Sequence, residues 1–579
     1  MLRLNLLRIL KIVLLITTVI LLSNAVAISR DYQDSWVLEG LEIPFAVFVI
    51  TYALAFFSEK RVSLMVALAV IGRCVFTLIP NLKYVWFSGR AIDQHLQFSL
   101  ANYVYNEGHI VPEGTTSFYG STPGIHLSFA SLSIVTNIPL LYTFKFLPVL
   151  LSLVYPLLTY SVIKKLGFTK ETTVLRYALF VSSLPIAPAL SYVVTGSMFG
   201  VLLSFFVLLQ IVKLLRKNNR SDWLLLMILS CALVMTHNFS SLWLALLILG
   251  VMSVQKFSFL QIKSYLRPLT VFLVLLLNIG WLVFQAPDTL GYMANQIRNM
   301  GVLLGIYPKT GVIPARFFEL TYINIFESLK AVLVYNGADV FLLLLTIAGV
   351  IFVAKNHKQS NTLKFLSLFN VLLWLLLVVG VLSRIGAFYW VRIVRFASIS
   401  YAIFFGIIIV HVEKRKIRSV AVASLLAITM VLAPIQLYRC QPLIGPANVI
   451  SRNLPPDEPI VYVVNVNSIY QREMIGFAED HVRGRIACDA VTRNQIIGLT
   501  EIDFSRTVIW FYPFTRLDES IPEKKYDYFL IHLPGKSGAF QEQAEIRTRR
   551  LILDAINNSS IAYTNGESYV LLKSQERVD

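Results

Sequence analysis

Residues 88–139 read SGRAIDQHLQFSLANYVYNEGHIVPEGTTSFYGSTPGIHLSFASLSIVTNIP and lie between two strongly apolar runs. The segment carries Asp93, His95, Glu107, His109 and His126. Ionisable side chains beside hydrocarbon are costly and need a purpose. The first half has helical spacing, with Leu96, Leu100, Tyr103 and Val104 predicted on one face and Gln94, Gln97, Asn102 and Asn106 largely on the other. A helix of that kind is expected to lie along a membrane surface rather than cross it. The fold expected around it is an α-helical polytopic membrane protein whose chemistry sits on one side of the bilayer.

Composition agrees. Of 579 residues, 56% are hydrophobic and 15% charged, and the mean hydropathy is +0.67. An ordinary soluble protein is nearer a quarter charged. Apolar runs of about 15 to 25 residues recur from Leu6 to Leu437, close to the length a helix needs to cross roughly 30 Å of hydrocarbon. The net charge of +18 is gathered beside these runs, at Arg3/Arg8/Lys11, Lys60/Arg61, Lys164/Lys165/Lys170, Lys213/Arg216/Lys217/Arg220, Lys256/Lys263/Arg267, Lys355/Lys358/Lys364 and Lys414/Arg415/Lys416/Arg418. Basic clusters at span ends set orientation, so no nucleic-acid partner is expected. Cys74 and Cys231 fall inside spans, Cys440 and Cys488 in the tail, and no CxxC pattern occurs.

Placing every basic cluster on the cytoplasmic side requires about thirteen crossings. They are expected near 6–28, 41–57, 62–80, 140–163, 172–190, 197–215, a hairpin within 223–254, and 268–286, 338–354, 364–382, 396–411 and 419–435. The hairpin turns at Thr236-His237-Asn238, because a single crossing would carry Lys256, Lys263 and Arg267 outside. The N-terminus is then inside and the tail outside. The membrane part, 1–438, has an amphipathic outer loop at 81–139 and further outer loops at 287–337 and 383–395. Prolines 442, 446, 455, 456 and 459 open a charged tail, 439–579, expected to be a small soluble α/β domain outside the membrane. Strands are predicted at 460–466, 507–512, 526–532 and 568–573, and a helix at 541–557.

There is no Walker-type phosphate loop, no GxGxxG after a strand, no HExxH and no fixed-period repeat. The order of the remaining motifs resembles the GT-C superfamily of membrane glycosyltransferases. Asp93-Gln94-His95 at the head of an amphipathic helix is similar to the acidic residue of that superfamily's first large outer loop. Tyr119-Gly120-Ser121-Thr122-Pro123-Gly124-Ile125-His126 resembles the entry to the loop's second helix. Lys145-Phe146-Leu147-Pro148 through Lys164-Lys165-Leu166-Gly167-Phe168, Ser191-Tyr192-Val193-Val194-Thr195, Thr236-His237-Asn238 and Trp390-Val391-Arg392-Ile393-Val394-Arg395-Phe396 follow in matching order. Two features depart from the pattern. Two spans precede the Asp93 loop after the first anchor, and Gly196 follows Thr195 where many relatives carry a second acidic residue.

The resemblance implies transfer of a sugar from a polyprenyl-phosphate donor to a lipid-linked glycan or protein acceptor outside the cytoplasm, at the cell membrane. Asp93 would be the general base, with inversion at the anomeric carbon. A helix-capping role is the alternative for Asp93. Arg395 and Arg392, three apart, suit the donor phosphate because a guanidinium donates two bonds at once; headgroup anchoring is the alternative. His95, His126, His237 and Asn238 are candidate substrate contacts, or polar groups satisfied at an interface. No ligand spacing assigns a metal, and no cofactor is expected. Two competing functions are a GT-C-like polysaccharide polymerase or ligase using a polyprenyl-diphosphate glycan, and a transporter or flippase. The latter would show paired broken helices at midplane, which the sequence lacks.

Overall fold

The computed structural model describes residues 2–29, 40–83, 92–110, 122–166, 171–186, 196–214, 219–257, 268–287, 325–355, 361–382, 387–412, 418–438 and 469–489, five strands, and a few single positions between them. The membrane part is built of α1 (Leu2–Ala27), α2 (Glu42–Ser58), α3 (Val62–Lys83), α4 (Ile92–Glu107), α5 (Gly124–Thr136), α6 (Leu140–Ser152), α7 (Val154–Leu166), α8 (Glu171–Ser183), α9 (Gly196–Leu214), α10 (Arg220–Thr236), α11 (Asn238–Phe257), α12 (Pro268–Phe284), α13 (Ile325–Lys355), α14 (Asn361–Leu382), α15 (Ala387–Val412) and α16 (Arg418–Tyr438). Among the described residues, four helical stretches are long and apolar enough to cross a membrane: Leu7–Ala27, Val62–Lys83, Leu140–Leu166 and Gly337–Lys355; eight shorter apolar helices accompany them. The chain is an integral membrane protein.

The first three helices pack as a unit. Phe48, Tyr52, Phe56, Phe76 and Phe180 interlock through ring contacts of 5.4–6.1 Å, and the Tyr52 hydroxyl donates to Ser183 Oγ at 2.6 Å. Gly72 makes this possible, since a Cβ there would lie 2.5 Å from Tyr52 Cζ. At the α2–α3 turn, Glu59 pairs with Lys11 Nζ at 2.6 Å and accepts the Lys60 and Arg61 backbone N–H groups at 2.9 and 3.0 Å. Burial opposes ionisation of Glu59, but these hydrogen bonds outweigh it and hold the carboxyl below its ordinary range.

Four expected spans are modified, two of them at prolines. The 140–163 span is divided at Leu153 into α6 and α7; Pro156 cannot donate to the carbonyl of Ser152, and Pro148 removes another rung about two turns earlier. The 172–190 span ends as helix at Ser183, because Leu184 precedes Pro185 and the α conformation is disfavoured there. With 13 residues α8 is about 20 Å long, too short to cross alone. Its open C-terminal end is met by Arg73 of α3, whose Nη1 donates to the carbonyls of Leu184 (2.5 Å) and Ile186 (2.9 Å) while the guanidinium lies 5.6 Å over the Tyr155 ring. Arg73 is fully buried, so an arginine in the bundle interior serves as a helix cap. Finally, α13 begins at Ile325 and α15 at Ala387, so parts of the loops expected at 287–337 and 383–395 are helical.

The run 223–254 is two helices parted by His237 alone. Leu226, Ser230 and Leu233 of α10 line one small cavity together with Ser241, Leu244 and Ile248 of α11. In a continuous helix Leu226 and Ile248 would be about 33 Å apart, so the chain folds back on itself.

The tail contributes α17 (Ile469–His481), β1 (Ile486–Asp489), β2 (Thr507–Phe511), β3 (Tyr528–His532), β4 (Ser559–Thr564) and β5 (Ser568–Lys573). The sheet order is β2-β1-β3-β5-β4, parallel from β2 through β3 and antiparallel beyond. Met474, Ile475 and Ala478 of α17 pack on Ile486, Cys488, Leu530 and Val570. Strands 507–512, 526–532 and 568–573 appear almost at their expected bounds, whereas β1, β4 and α17 are additions. The strand at 460–466, the helix at 541–557 and Cys440 lie outside the described residues.

Candidate functional site

Helix α4 runs from Ile92 to Glu107 and stops at Gly108, whose φ of +73° suits a helix end and whose N–H reaches the Val104 carbonyl at 3.1 Å. Asp93 and His95 lie in its first turn; their side chains are outside the described set. The buried face matches the expected one at Leu100 and Val104 and is wider than expected elsewhere. Gln94, Gln97, Phe98, Ala101 and Val104, spaced at helical intervals, are buried, while Tyr103 is half-buried and Asn106 exposed. The two glutamines therefore face protein instead of water.

The reason lies on α5. His126 is 2% exposed, and its Nε2 lies 2.6 Å from Gln97 Oε1. Since a carboxamide oxygen only accepts, the imidazole donates from Nε2. Burial pushes the His126 pKa from its ordinary 6.5 down to about 3, so the ring is neutral at physiological pH. An apolar layer supports the pair. Phe129 stacks on Phe144 of α6 at 4.0 Å, Phe98 meets Phe144 edge-on at 5.2 Å, and Phe129 meets Phe199 of α9 at 5.6 Å.

The α10–α11 turn joins the same end of the bundle. His237 is extended (φ −158°, ψ 92°), and its Nδ1 accepts the Ser240 backbone N–H at 3.2 Å as well as contacting the Ser240 hydroxyl. With Nδ1 accepting, the ring proton belongs on Nε2. Three glycines seat this turn. A Cβ on Gly124 would fall 2.8 Å from Thr236 Oγ1 and 3.1 Å from the Met235 carbonyl oxygen, one on Gly200 2.9 Å from His237 Cβ, and one on Gly196 3.1 Å from His237 Cδ2. The starts of α5 and α9 and the α10–α11 turn thus converge. Gly196, the residue after Thr195 at which the chain departs from the acidic pattern it otherwise resembles, abuts the His237 ring.

His126 and His237 are brought to this end of the bundle together. Asn238 opens α11, and Arg392 and Arg395 sit one turn apart within α15; the side chains of all three are outside the described set. Gln94, Gln97, Ser240 and the glycines were not anticipated as site residues. The only signal in the sequence was spacing, since Gln97 lies four residues from Asp93. No group of three or more His, Cys, Asp or Glu is gathered among the described residues in a way that would hold a metal ion.

No protein-family model matches the chain, and no curated protein matches it by sequence. Solved structures do. The apo crystal structure of the Archaeoglobus fulgidus oligosaccharyltransferase aligns over 82% of this chain and 70% of that one, at 10% identity and a TM-score of 0.51. Its complex with Zn and sulfate aligns over 80% and 68%, at 11% identity and a TM-score of 0.50. At such identity the likeness concerns the fold alone.

Proposed function

We propose that the chain is a membrane glycosyltransferase that moves one sugar from a polyprenyl-phosphate donor to an acceptor hydroxyl on the outer side of the cell membrane, the acceptor being a lipid-linked glycan or a protein. The observation that carries this reading is the one-sided convergence of polar side chains. His126 with Gln97 and His237 with Ser240 sit at a single end of a GT-C-like bundle, and Asp93 opens the helix that holds Gln97.

In the reaction the acceptor atom attacks the anomeric carbon from the face opposite the phosphate. Asp93 takes the acceptor's proton as the bond forms. The bond from the anomeric carbon to the phosphate oxygen breaks with its electron pair, and polyprenyl phosphate leaves. Arg395, with Arg392 one turn away, stabilises the charge on that leaving group. His126 is neutral and engaged by Gln97, which fits it to neutral hydrogen bonding and not to phosphate. His237, with its proton on Nε2, borders the site as a donor, and Asn238, which opens α11, is the further substrate contact in this scheme. No metal or cofactor enters this scheme.

The topology proposed with it has about thirteen crossings, an inside N-terminus and an outside tail. Residues 439–579 then form a domain that shapes access of the acceptor. Asp93→Asn keeps shape and removes the base. In purified protein supplied with synthetic polyprenyl-phosphate hexoses and membrane extract as acceptor, it should lose at least about 10²-fold in turnover while still binding donor. Arg395→Ala should instead weaken donor binding. Near-normal transfer by a folded Asp93→Asn variant would reject the assignment.

A further inference from the structure

Gln94 and Gln97 are each 1% exposed, and among the described residues Gln94 Oε1 and Gln97 Nε2 have no hydrogen-bond partner. One is an acceptor and the other a donor, three residues apart on α4, a spacing that brings side chains into reach of one another. Folded proteins rarely leave such atoms unmet unless a ligand or an ordered water meets them. The donor is also fixed, because His126 holds the other end of the same amide. The chemical match for the two atoms is a hydroxyl, whose oxygen accepts from Gln97 and whose hydrogen goes to Gln94. A phosphate or carboxylate would face the Gln94 oxygen and find no positive charge on the neutral His126.

We propose, resting on the glycosyl-transfer reading, that Gln94 and Gln97 form a specificity subsite for one sugar hydroxyl, one turn along α4 from Asp93. A single hydroxyl supplies both the acceptor and the donor that the two buried atoms lack, so nothing larger than that group needs to reach them and the ring stays outside. The hydroxyl belongs to the transferred sugar or to a sugar of the acceptor.

The test uses the full-length protein in nanodiscs with synthetic polyprenyl-phosphate hexoses, their monodeoxy analogues, and methyl hexosides with the corresponding monodeoxy series as acceptors. One deoxy position should lose about 10²-fold or more in kcat/KM, since a site built around a hydroxyl leaves its own polar atoms unpaired when the hydroxyl is missing. Loss in the donor series assigns the transferred sugar; loss in the acceptor series assigns the acceptor. Gln94→Met and Gln97→Met should bring that discrimination to within about threefold, and the deoxy series on the unaltered protein stands even where a variant misfolds. Equal tolerance of every deoxy position, or discrimination unchanged in both methionine variants, would overturn the subsite and leave the position to water. Binding separates the two claims. If no polyprenyl-phosphate sugar is transferred, but the sugar-bearing lipid binds better than bare polyprenyl phosphate and the methionine variants erase that preference, the activity reading falls and the subsite stands. Without transfer and without sugar-dependent binding, the subsite falls too.

Discussion

His126 shows how burial sets the chemistry of one side chain. An imidazole in water titrates near 6.5, whereas this one is pushed to about 3 by burial. The sign follows from linkage. Below about pH 6.5 the unfolded chain takes up a proton that the folded chain refuses, so the stabilisation is complete above that pH and is lost progressively as pH falls toward about 3. At pH 4.5 the loss is about 2 to 3 kcal/mol. Thermal unfolding in detergent at pH 7.5 and 4.5 should show this difference in the wild type and not in His126→Gln; an equal acid loss in both would refute it. The histidine itself was visible in the sequence as a candidate contact, but its partner was not. Gln97 was read onto the polar face of an amphipathic helix, and only the packing of α5 and α6 on α4 turns that face inward.

Elements were legible where hydrophobic length governs them and obscure where a single residue does. The apolar runs foretold the long helices, and the basic residues after the 223–254 run foretold the hairpin. What the runs conceal is where a helix stops. Ser183 ends α8 because a proline follows and because Arg73, from another helix, satisfies the exposed carbonyls; only the first cause is local. Arg73→Leu should strand those buried carbonyls and cost about 1 to 3 kcal/mol, read as a fall in the unfolding temperature. Unchanged stability would mean that the cap is dispensable. Gly200→Ala tests the α10–α11 turn. The new methyl meets both Ser240 Oγ and His237 Cβ, so a loss of about 1 to 3 kcal/mol is expected, and Ser240→Ala should restore only part of it because the His237 contact remains. Full restoration by Ser240→Ala would show that the histidine yields freely.

At the scale of the whole molecule, orientation was read from charge alone, and it can be checked directly. Cysteines placed at Ser221 and Gln255 should react with an impermeant thiol reagent only from the cytoplasmic side, and one placed at Asn106, which is exposed, only from the outside. Labelling of 221 and 255 from opposite sides would break the hairpin topology. The tail was less legible than the bundle. Its β-branched and aromatic strands β2, β3 and β5 were anticipated, but Ile486–Asp489 is four residues long and Ser559–Thr564 opens on two serines, so neither carries a strand pattern. Those two strands exist because neighbours pair with them, which is information held by the sheet and not by the segment.

The corner between α5 and α6 presents Ile134, Val135, Ile138 and Tyr142 outward, with Val135 83% exposed. In a membrane that corner is a float. It settles where acyl chains meet headgroups, and α5, which holds His126, is tied to its level. Under the proposed activity, the rate of transfer should therefore follow the thickness of the lipid around the protein. Transfer in bilayers of short, medium and long acyl chains should pass through an optimum, and Val135→Lys should shift or flatten that optimum while leaving the rate in detergent micelles, where there is no fixed height, unchanged.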